Sequence, residues 1–280
     1  MFLLNKKLIL FIPIILVFSI IQLSAEMDDL NLPPKGDNSL KRLNNTPRHG
    51  EWISYTADMN DKVEAWISYP EIKGKAPVVI VIHEIYGLSD WIRAVADQFA
   101  KEGFIAIAPD LLSGKAPGGK GSEGLDNDTA RALISKLDPE EVIRRLNGAA
   151  KYAASLPAAN NKYAVVGFCW GGSTSFNYAT EQPGLSAAVV YYGTSPDKNK
   201  LINVKAPVLG LYGGNDNRVN ATIDTAEKEL KRLRKSFEKE IFEGAGHAFL
   251  RQQDGMNGAN FKATKAAWPR TIAFLKKAFR

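Results

Sequence analysis

The only cysteine of the chain lies in a glycine-rich stretch that could carry nucleophilic chemistry. It occurs in Gly167-Phe168-Cys169-Trp170-Gly171-Gly172, directly after the apolar run 163–166 and before a series of small residues compatible with a helix. A strand, a tight glycine-flanked turn and a helix form the context that exposes a nucleophile on a strained turn. A cysteine thiolate placed there could attack a carbonyl carbon. We therefore interpret Cys169 as a candidate nucleophile, the alternative being a buried and inert cysteine.

Three further polar residues follow the ends of predicted strands. They are Glu84 after the run 76–82, Asp216 after 207–212 and His247 after 237–242. Because ligands of open α/β sheets bind beyond the carboxyl ends of the strands, we expect these side chains to converge on Cys169. His247 would exchange protons with the thiol or the leaving group, and Asp216 would fix the tautomer of its ring. The order nucleophile, acid, histidine is that of the α/β-hydrolase fold.

Backbone amides are also predicted to take part, as donors to the oxyanion of an acyl-transfer reaction. The amide of Trp170 follows the nucleophile, and that of Ile85 lies in the loop after the third strand. Asp216 and His247 could alternatively be ordinary turn and loop residues, and Glu84 an acid that approaches a helix or a buried partner of an arginine. Asp110 also ends a strand, but it precedes the nucleophile in the chain, which is the wrong order for the acid.

The elements that must position these residues alternate between strand and helix. Strands are predicted at 52–55, 63–69, 76–82, 104–108, 163–166, 187–192, 207–212 and 237–242, and helices at 91–101, 139–155, 219–235 and 263–279. The first two strands alternate apolar and polar residues, which favours an antiparallel pair at a sheet edge. The remainder predicts a mostly parallel sheet with helices on both faces. We thus expect one α/β-hydrolase domain over residues 49–280.

The N-terminal residues are typical of an export signal. Lys6 and Lys7 precede the apolar run 8–23, and Ala25 closes a small-residue end. We predict a signal peptide over 1–25 and a periplasmic or secreted protein that does not contact the membrane after cleavage. An uncleaved membrane anchor is the alternative, although the run is short for a span. Residues 26–48 are polar and contain two prolines, which predicts a flexible lead-in.

Composition argues against several classes of partner. The net charge is +6 and the pI about 9.2, but the basic residues of the predicted helix 219–235 alternate with glutamates. That pattern favours a solvated helix face over a nucleic-acid site. A single cysteine excludes an intramolecular disulfide, and three histidines without ligand spacing do not predict a metal site. We expect no cofactor, no metal, no nucleic acid and a monomer that binds a small molecule.

Taken in order, six short motifs resemble the dienelactone hydrolase family over residues 50–280. The motifs are His83-Glu84-Ile85-Tyr86-Gly87, Pro109-Asp110-Leu111 with Ala116-Pro117-Gly118, Gly167 to Gly172, Tyr191-Tyr192-Gly193, Gly213-Gly214-Asn215-Asp216, and Gly244-Ala245-Gly246-His247-Ala248-Phe249. The resemblance implies a triad of Cys169, Asp216 and His247. It also implies that Glu84 contacts the nucleophile and helps to form the thiolate only when substrate binds. The reaction it implies is hydrolysis of a cyclic enol-lactone through an acyl-enzyme.

Departures from the family pattern concern the substrate rather than the triad. Family members that degrade dienelactone bind its carboxylate with two arginines, and Arg251 matches one of them. The other falls at Gly114, next to Lys115, which could replace it only as a point charge. Ala248 stands where the family has a serine. We predict Tyr86, Arg251 and Lys115 as substrate-binding residues, without predicting dienelactone itself as the substrate.

The sequence therefore predicts an exported hydrolase that cleaves a small ester or lactone with a cysteine nucleophile. Two alternatives stay open. One is an exported binding protein with the same fold and no activity. The other is a thioesterase or peptidase that uses the same triad.

Overall fold

The computed structural model describes residues 29–58 and 60–280 as an eight-stranded sheet between two layers of helices. The strands are β1 Gly50–Thr56, β2 Lys62–Ser68, β3 Ala76–Ile82, β4 Ile105–Pro109, β5 Ala159–Phe168, β6 Ala188–Tyr191, β7 Val208–Gly213 and β8 Phe237–Phe242. The helices are α1 Ser39–Asn44, α2 Asp90–Lys101, α3 Asn127–Ile134, α4 Pro139–Ser155, α5 Trp170–Glu181, α6 Asn217–Asn220, α7 Ile223–Arg232 and α8 Ala259–Ala278. Short 3₁₀ turns occupy Gly36–Asn38, Pro117–Gly119, Lys198–Asn203 and Met256–Gly258.

The strand order β1-β2-β4-β3-β5-β6-β7-β8 confirms a mostly parallel sheet with an antiparallel N-terminal edge. β1 pairs with β2, and β2 with β4, in antiparallel register. From β4 to β8 every neighbouring pair is parallel. The carboxyl ends of β3, β5, β7 and β8 therefore open on the same edge of the sheet, which is where a site is expected in such a fold.

Each face of the sheet is covered because its central strands are apolar on both sides. In β3, Val79 and Val81 face the layer formed by α2 and α8, while Val78 and Ile80 face the layer formed by α4, α5 and α7. All four side chains are 1% exposed or less. This alternation with a period of two is what a strand buried on both faces requires.

The predicted helix 219–235 is instead two helices, α6 and α7. The break falls at Thr222, whose hydroxyl bonds the carbonyl of Val219 and also accepts the amide of Ser195. A side chain that binds the backbone in this way competes with continued helix hydrogen bonding. Helix α3 was not predicted at all, although Asp126 caps it by accepting from the amides of Asp128 and Thr129.

Residues 29–48, which composition predicts to be a flexible lead-in, pack on the domain, and we call this segment the strap. Leu32 of the strap is 4% exposed and belongs to the core on the α2 side. Arg48 forms an ion pair with Asp97 of α2 at 2.5 Å. The polar composition of the strap does not reveal these anchors, because their partners lie in the domain rather than in the strap itself.

The predicted signal peptide, residues 1–25, lies outside the described residues. Within 29–58 and 60–280, none of the helices has the length and apolar character needed to cross a membrane.

Candidate active site

The chain turns sharply at Cys169, between β5 and α5. Its φ is +56° and ψ −115°, and its amide donates to the carbonyl of Tyr191 at 3.0 Å. A cysteine held at positive φ is strained by about 1–3 kcal/mol, a cost that the surrounding structure must offset. The neighbouring glycines make this possible. A Cβ on Gly171 would lie 2.3 Å from the carbonyl oxygen of His83, and one on Gly167 would lie 1.8 Å from that of Gly171.

Cys169, His247 and Asp216 form one hydrogen-bonded chain. His247 Nε2 lies 3.0 Å from Cys169 Sγ, and His247 Nδ1 lies 2.5 Å from Asp216 Oδ2. The three residues follow β5, β8 and β7, so parallel strand ends bring together positions that are 78 and 31 residues apart along the chain. This geometry is what proton exchange between thiol and imidazole requires.

Asp216 holds the histidine with one oxygen and begins a helix with the other. Its Oδ1 accepts from the amide of Val219 and so caps α6. Burial would raise the pKa of Asp216, but its hydrogen bond to His247 and the positive charge of that ring outweigh burial and leave the pKa below its usual value. The carboxylate is therefore ionised at neutral pH.

The neighbours of His247 raise the proton affinity of its ring. Burial would lower its pKa, but the hydrogen bonds to Asp216 and Cys169 and the charges of those groups raise it to about 9. The ring of Tyr192 packs edge-on against it, with ring centroids 5.1 Å apart. The groups on both sides of the ring thus favour its protonated form.

Glu84 lies at the end of β3 and forms an ion pair with Arg251. Arg251 Nε lies 2.6 Å from Glu84 Oε2, and among the described residues the carboxylate makes this bond rather than one to Cys169. The side chain of Glu84 is only 4% exposed. Burial raises its pKa, and the positive charge and hydrogen bond of Arg251 oppose that rise without cancelling it.

His83 has a structural position, as its burial and bonding indicate. It is fully buried and accepts the amide of Leu111 at Nε2, so Nδ1 carries the proton and donates to the carbonyl of Glu84 at 2.7 Å. This bond fixes the backbone that carries Glu84. Asp110, the other candidate acid, accepts from the amide and hydroxyl of Ser122 and thereby secures the glycine-rich loop 113–124, which follows β4.

The backbone segments that carry Ile85 and Trp170 meet at this edge. The start of α5 packs so closely on the end of β3 that a Cβ on Gly171 would lie 2.4 Å from the carbonyl oxygen of Ile82. Trp170 is the first residue of α5, where an amide has no acceptor within the helix. The Trp170 ring stacks on His83 and, like Ile85, packs against the cluster of Leu112, Ala130 and Ile134.

An open cavity of about 540 Å³ adjoins Glu84. It is lined by Gly36, Glu84, Tyr86, Ser89, Asp90, Trp91, Asn127, Arg251 and Gln252. The guanidinium of Arg251 lies 5.5 Å from the centre of the Tyr86 ring. The structure therefore brings two of the predicted substrate-binding residues, Tyr86 and Arg251, to one cavity.

The third, Lys115, is not brought to this cavity. Its ammonium lies 2.7 Å from Glu141 Oε1, and Glu141 also pairs with Arg145 at 2.9 Å. Lys115 was predicted from its place beside Gly114, but its charge is held by the first turn of α4. The position of the Lys115 ammonium is set by Glu141, which is 26 residues away in the chain, and the spacing of residues around Lys115 does not reveal such a partner.

Tyr192 is a site residue to which the sequence assigned no role. Its φ is +41°, its hydroxyl is buried, and that hydroxyl makes no hydrogen bond within the described part of the chain. Burial, followed by the nearby charge of Glu84, raises its pKa far above the usual value. Its occurrence in Tyr191-Tyr192-Gly193, directly after β6, was the available signal.

The sheet order and the residues at its carboxyl edge define an α/β-hydrolase. Residues 63–279 match the dienelactone hydrolase family, and the chain belongs to that family.

Named relatives agree with this assignment. A candidate carboxymethylenebutenolidase of Yersinia pestis is 33% identical over 222 residues, which are 74% of this chain and 82% of the relative. The carboxymethylenebutenolidase of Pseudomonas putida is 30% identical over 207 residues, which are 72% of this chain and 86% of that protein. The crystal structure of a candidate dienelactone hydrolase from Klebsiella pneumoniae is similar with a TM-score of 0.72 at 29% identity, covering 82% of this chain and 98% of the other.

Proposed function

We propose that the protein hydrolyses a small ester or lactone through an acyl-enzyme formed on Cys169. The observation that carries the proposal is a chain of two hydrogen bonds. One joins Cys169 Sγ and His247 Nε2 at 3.0 Å, and the other joins His247 Nδ1 and Asp216 Oδ2 at 2.5 Å. Membership of the dienelactone hydrolase family and the carboxymethylenebutenolidase names of the relatives support a lactone or ester as substrate.

The proposal places a base other than His247 at the thiol, because the raised pKa of His247 favours its doubly protonated ring. Glu84 is the proposed base. Substrate in the cavity displaces Arg251, the proton affinity of the buried carboxylate rises, and Glu84 takes the thiol proton from Cys169. The ion pair seen between Glu84 and Arg251 supports this as the resting state, in which the carboxylate bonds the guanidinium rather than the thiol.

The thiolate sulfur then bonds to the carbonyl carbon, and the oxyanion accepts from the amides of Ile85 and Trp170. Collapse breaks the bond to the leaving oxygen, which receives a proton from His247 Nε2. In a lactone, this alcohol stays attached to the acyl group.

Deacylation reverses these roles. Neutral His247 takes a proton from water, and the hydroxide adds to the thioester. The carbon–sulfur bond breaks, the acid departs, and Glu84 returns its proton to the sulfur.

Hydrolysis of a short-chain chromogenic ester by the purified protein tests the proposal. We expect Cys169→Ala and His247→Ala each to lower kcat by at least about 10³-fold, because the residues act as a unit. His49→Ala is the matched control, because this side chain is 67% exposed and directly precedes β1, the edge strand of the sheet. If the protein turns over none of a panel of esters, thioesters and lactones, the proposal that it is an enzyme is overturned and a binding protein is favoured. Turnover of thioesters or peptides alone would identify the thioesterase or peptidase.

We also propose that the protein is exported. Lys6, Lys7 and the apolar run 8–23 support this. Cell fractionation followed by N-terminal sequencing tests it. A mature end at residue 26 in the exported fraction is expected, and full-length protein in the cytoplasm contradicts it.

A further inference from the structure

The strap is fastened to the residues that follow His247. Pro33 and Pro34 present their carbonyl groups to two buried donors, Gln253 Nε2 and Trp91 Nε1, each at 2.9 Å. Lys35 adds an ion pair to Asp254 at 2.6 Å. Three successive strap residues are thus tied to the segment 251–254 and to α2.

Gly36, the next residue of the strap, contacts Arg251 in two ways. Its amide donates to the carbonyl of Arg251 at 3.0 Å. A Cβ on Gly36 would lie 3.2 Å from Arg251 Cγ and 3.8 Å from Cδ. The backbone of Arg251 is therefore held by the strap, and the stem of its side chain passes through the space that a side chain at position 36 would fill.

The same glycine lines the cavity together with Glu84 and Tyr86. The family match begins only at residue 63, so this wall comes from a part of the chain outside the matched region. Gly36 lies in a 3₁₀ turn and does not have positive φ, so backbone conformation does not explain why glycine occurs there. The close approach of the Arg251 side chain explains the glycine, because a larger side chain at position 36 would occupy the same space.

We propose that the strap is a positioning element of the active site. Residues 33–36 hold Arg251 against Glu84, and the absence of a side chain at Gly36 leaves the path that the guanidinium needs to reach the carboxylate. The proposal rests on the proposed function, in which Glu84 must be a carboxylate when substrate arrives.

Gly36→Val in the otherwise intact chain tests the proposal. The added side chain displaces the Arg251 stem, and Glu84 loses its positive partner. Its pKa then rises, so the acid-side fall in kcat/KM moves to higher pH by about one unit. Gly36→Ala requires the Arg251 side chain to move by only a few tenths of an ångström, so it should shift the acid limb of the profile much less. Asp37→Val is the matched control, because residue 37 is exposed and lines no part of the cavity.

A crystal structure of Gly36→Val gives a readout without activity. The separation of Arg251 Nε and Glu84 Oε2, 2.6 Å in the native chain, should exceed about 3.5 Å. If Gly36→Val fails to fold, Trp91→Phe removes the donor to Pro34 while keeping an aromatic ring, and should shift the profile in the same direction. An unchanged ion pair and an unchanged acid limb in the folded variants would overturn the proposal. An inactive wild type with a displaced Arg251 in Gly36→Val would instead overturn the proposed function alone.

Discussion

Asp216 and Glu84 are two buried carboxylates at the same edge of the sheet, and their proton affinities change in opposite directions. Asp216 is 7% exposed and Glu84 3%. Burial raises both pKa values, but only that of Asp216 ends below its usual value. Asp216 accepts hydrogen bonds from His247 and from the amide of Val219, whereas Glu84 accepts one from Arg251. At Asp216 the hydrogen bonds and charges that favour the charged form outweigh burial, and at Glu84 they do not, which separates a fixed anion from a carboxyl group that can accept a proton.

Removing the charge of the fixed anion should have the largest effect. Asp216→Asn leaves a side chain of the same shape that no longer stabilises the imidazolium, so we expect kcat to fall by about 10³–10⁴-fold. Steady-state kinetics on a short-chain ester measures this. Asp224→Asn is the control, because Asp224 is 77% exposed. A loss below tenfold would mean that Asp216 is a turn residue with no part in the reaction.

The second carboxylate should matter at one step only. Glu84→Gln removes the proposed acceptor of the thiol proton, so acylation should slow by about 10²–10³-fold while the protein folds normally. Stopped-flow detection of the leaving alcohol, with circular dichroism as the folding check, measures it. Glu238→Gln on β8 provides a glutamate of the same chemistry whose side chain is 45% exposed. Acylation at the wild-type rate in Glu84→Gln would refute the role of Glu84.

The pH profile should separate the two carboxylates through His247. The leaving group needs the protonated ring, so kcat/KM should fall as pH rises through about 9, the pKa of His247. In Asp216→Asn this alkaline limb should move to lower pH, because the charge that raises the pKa is gone. In Glu84→Gln it should move much less. Equal shifts in both variants would contradict the separation of roles.

The smallest effect is expected at Lys115. Lys115→Met removes a cation that pairs with Glu141 away from the cavity, and Glu141 keeps Arg145. We expect KM to change by less than about twofold for neutral esters and for esters that carry a carboxylate, since a surface pair contributes little. A KM raised only for the carboxylate ester would return Lys115 to the substrate site.

The elements and the triad geometry could be predicted because local pattern and strand order determine them. β3 has apolar residues in every position, Asp138 and Pro139 mark the start of α4, and Gly167, Cys169 and Gly171 need one kind of turn. Residues at the carboxyl ends of parallel strands then meet without further information.

The strap, helix α3 and the fate of Lys115 depend on partners that are distant in sequence. Pro34 bonds Trp91, 57 residues later, and Lys115 pairs with a glutamate on another helix. A polar, proline-containing segment has the same composition whether or not such partners exist. Arg251 is an intermediate case, because its place after His247 and an arginine partner for Glu84 could both be considered from the sequence, but not that Arg251 is that partner.

A chain with one cysteine, partly exposed and bonded to His247, offers a direct count of working molecules. One equivalent of an alkylating reagent can modify one position only, so the fraction labelled should equal the fraction of activity lost. The number of competent sites in any preparation then follows from a mass spectrum, and each kcat can be expressed per intact thiol.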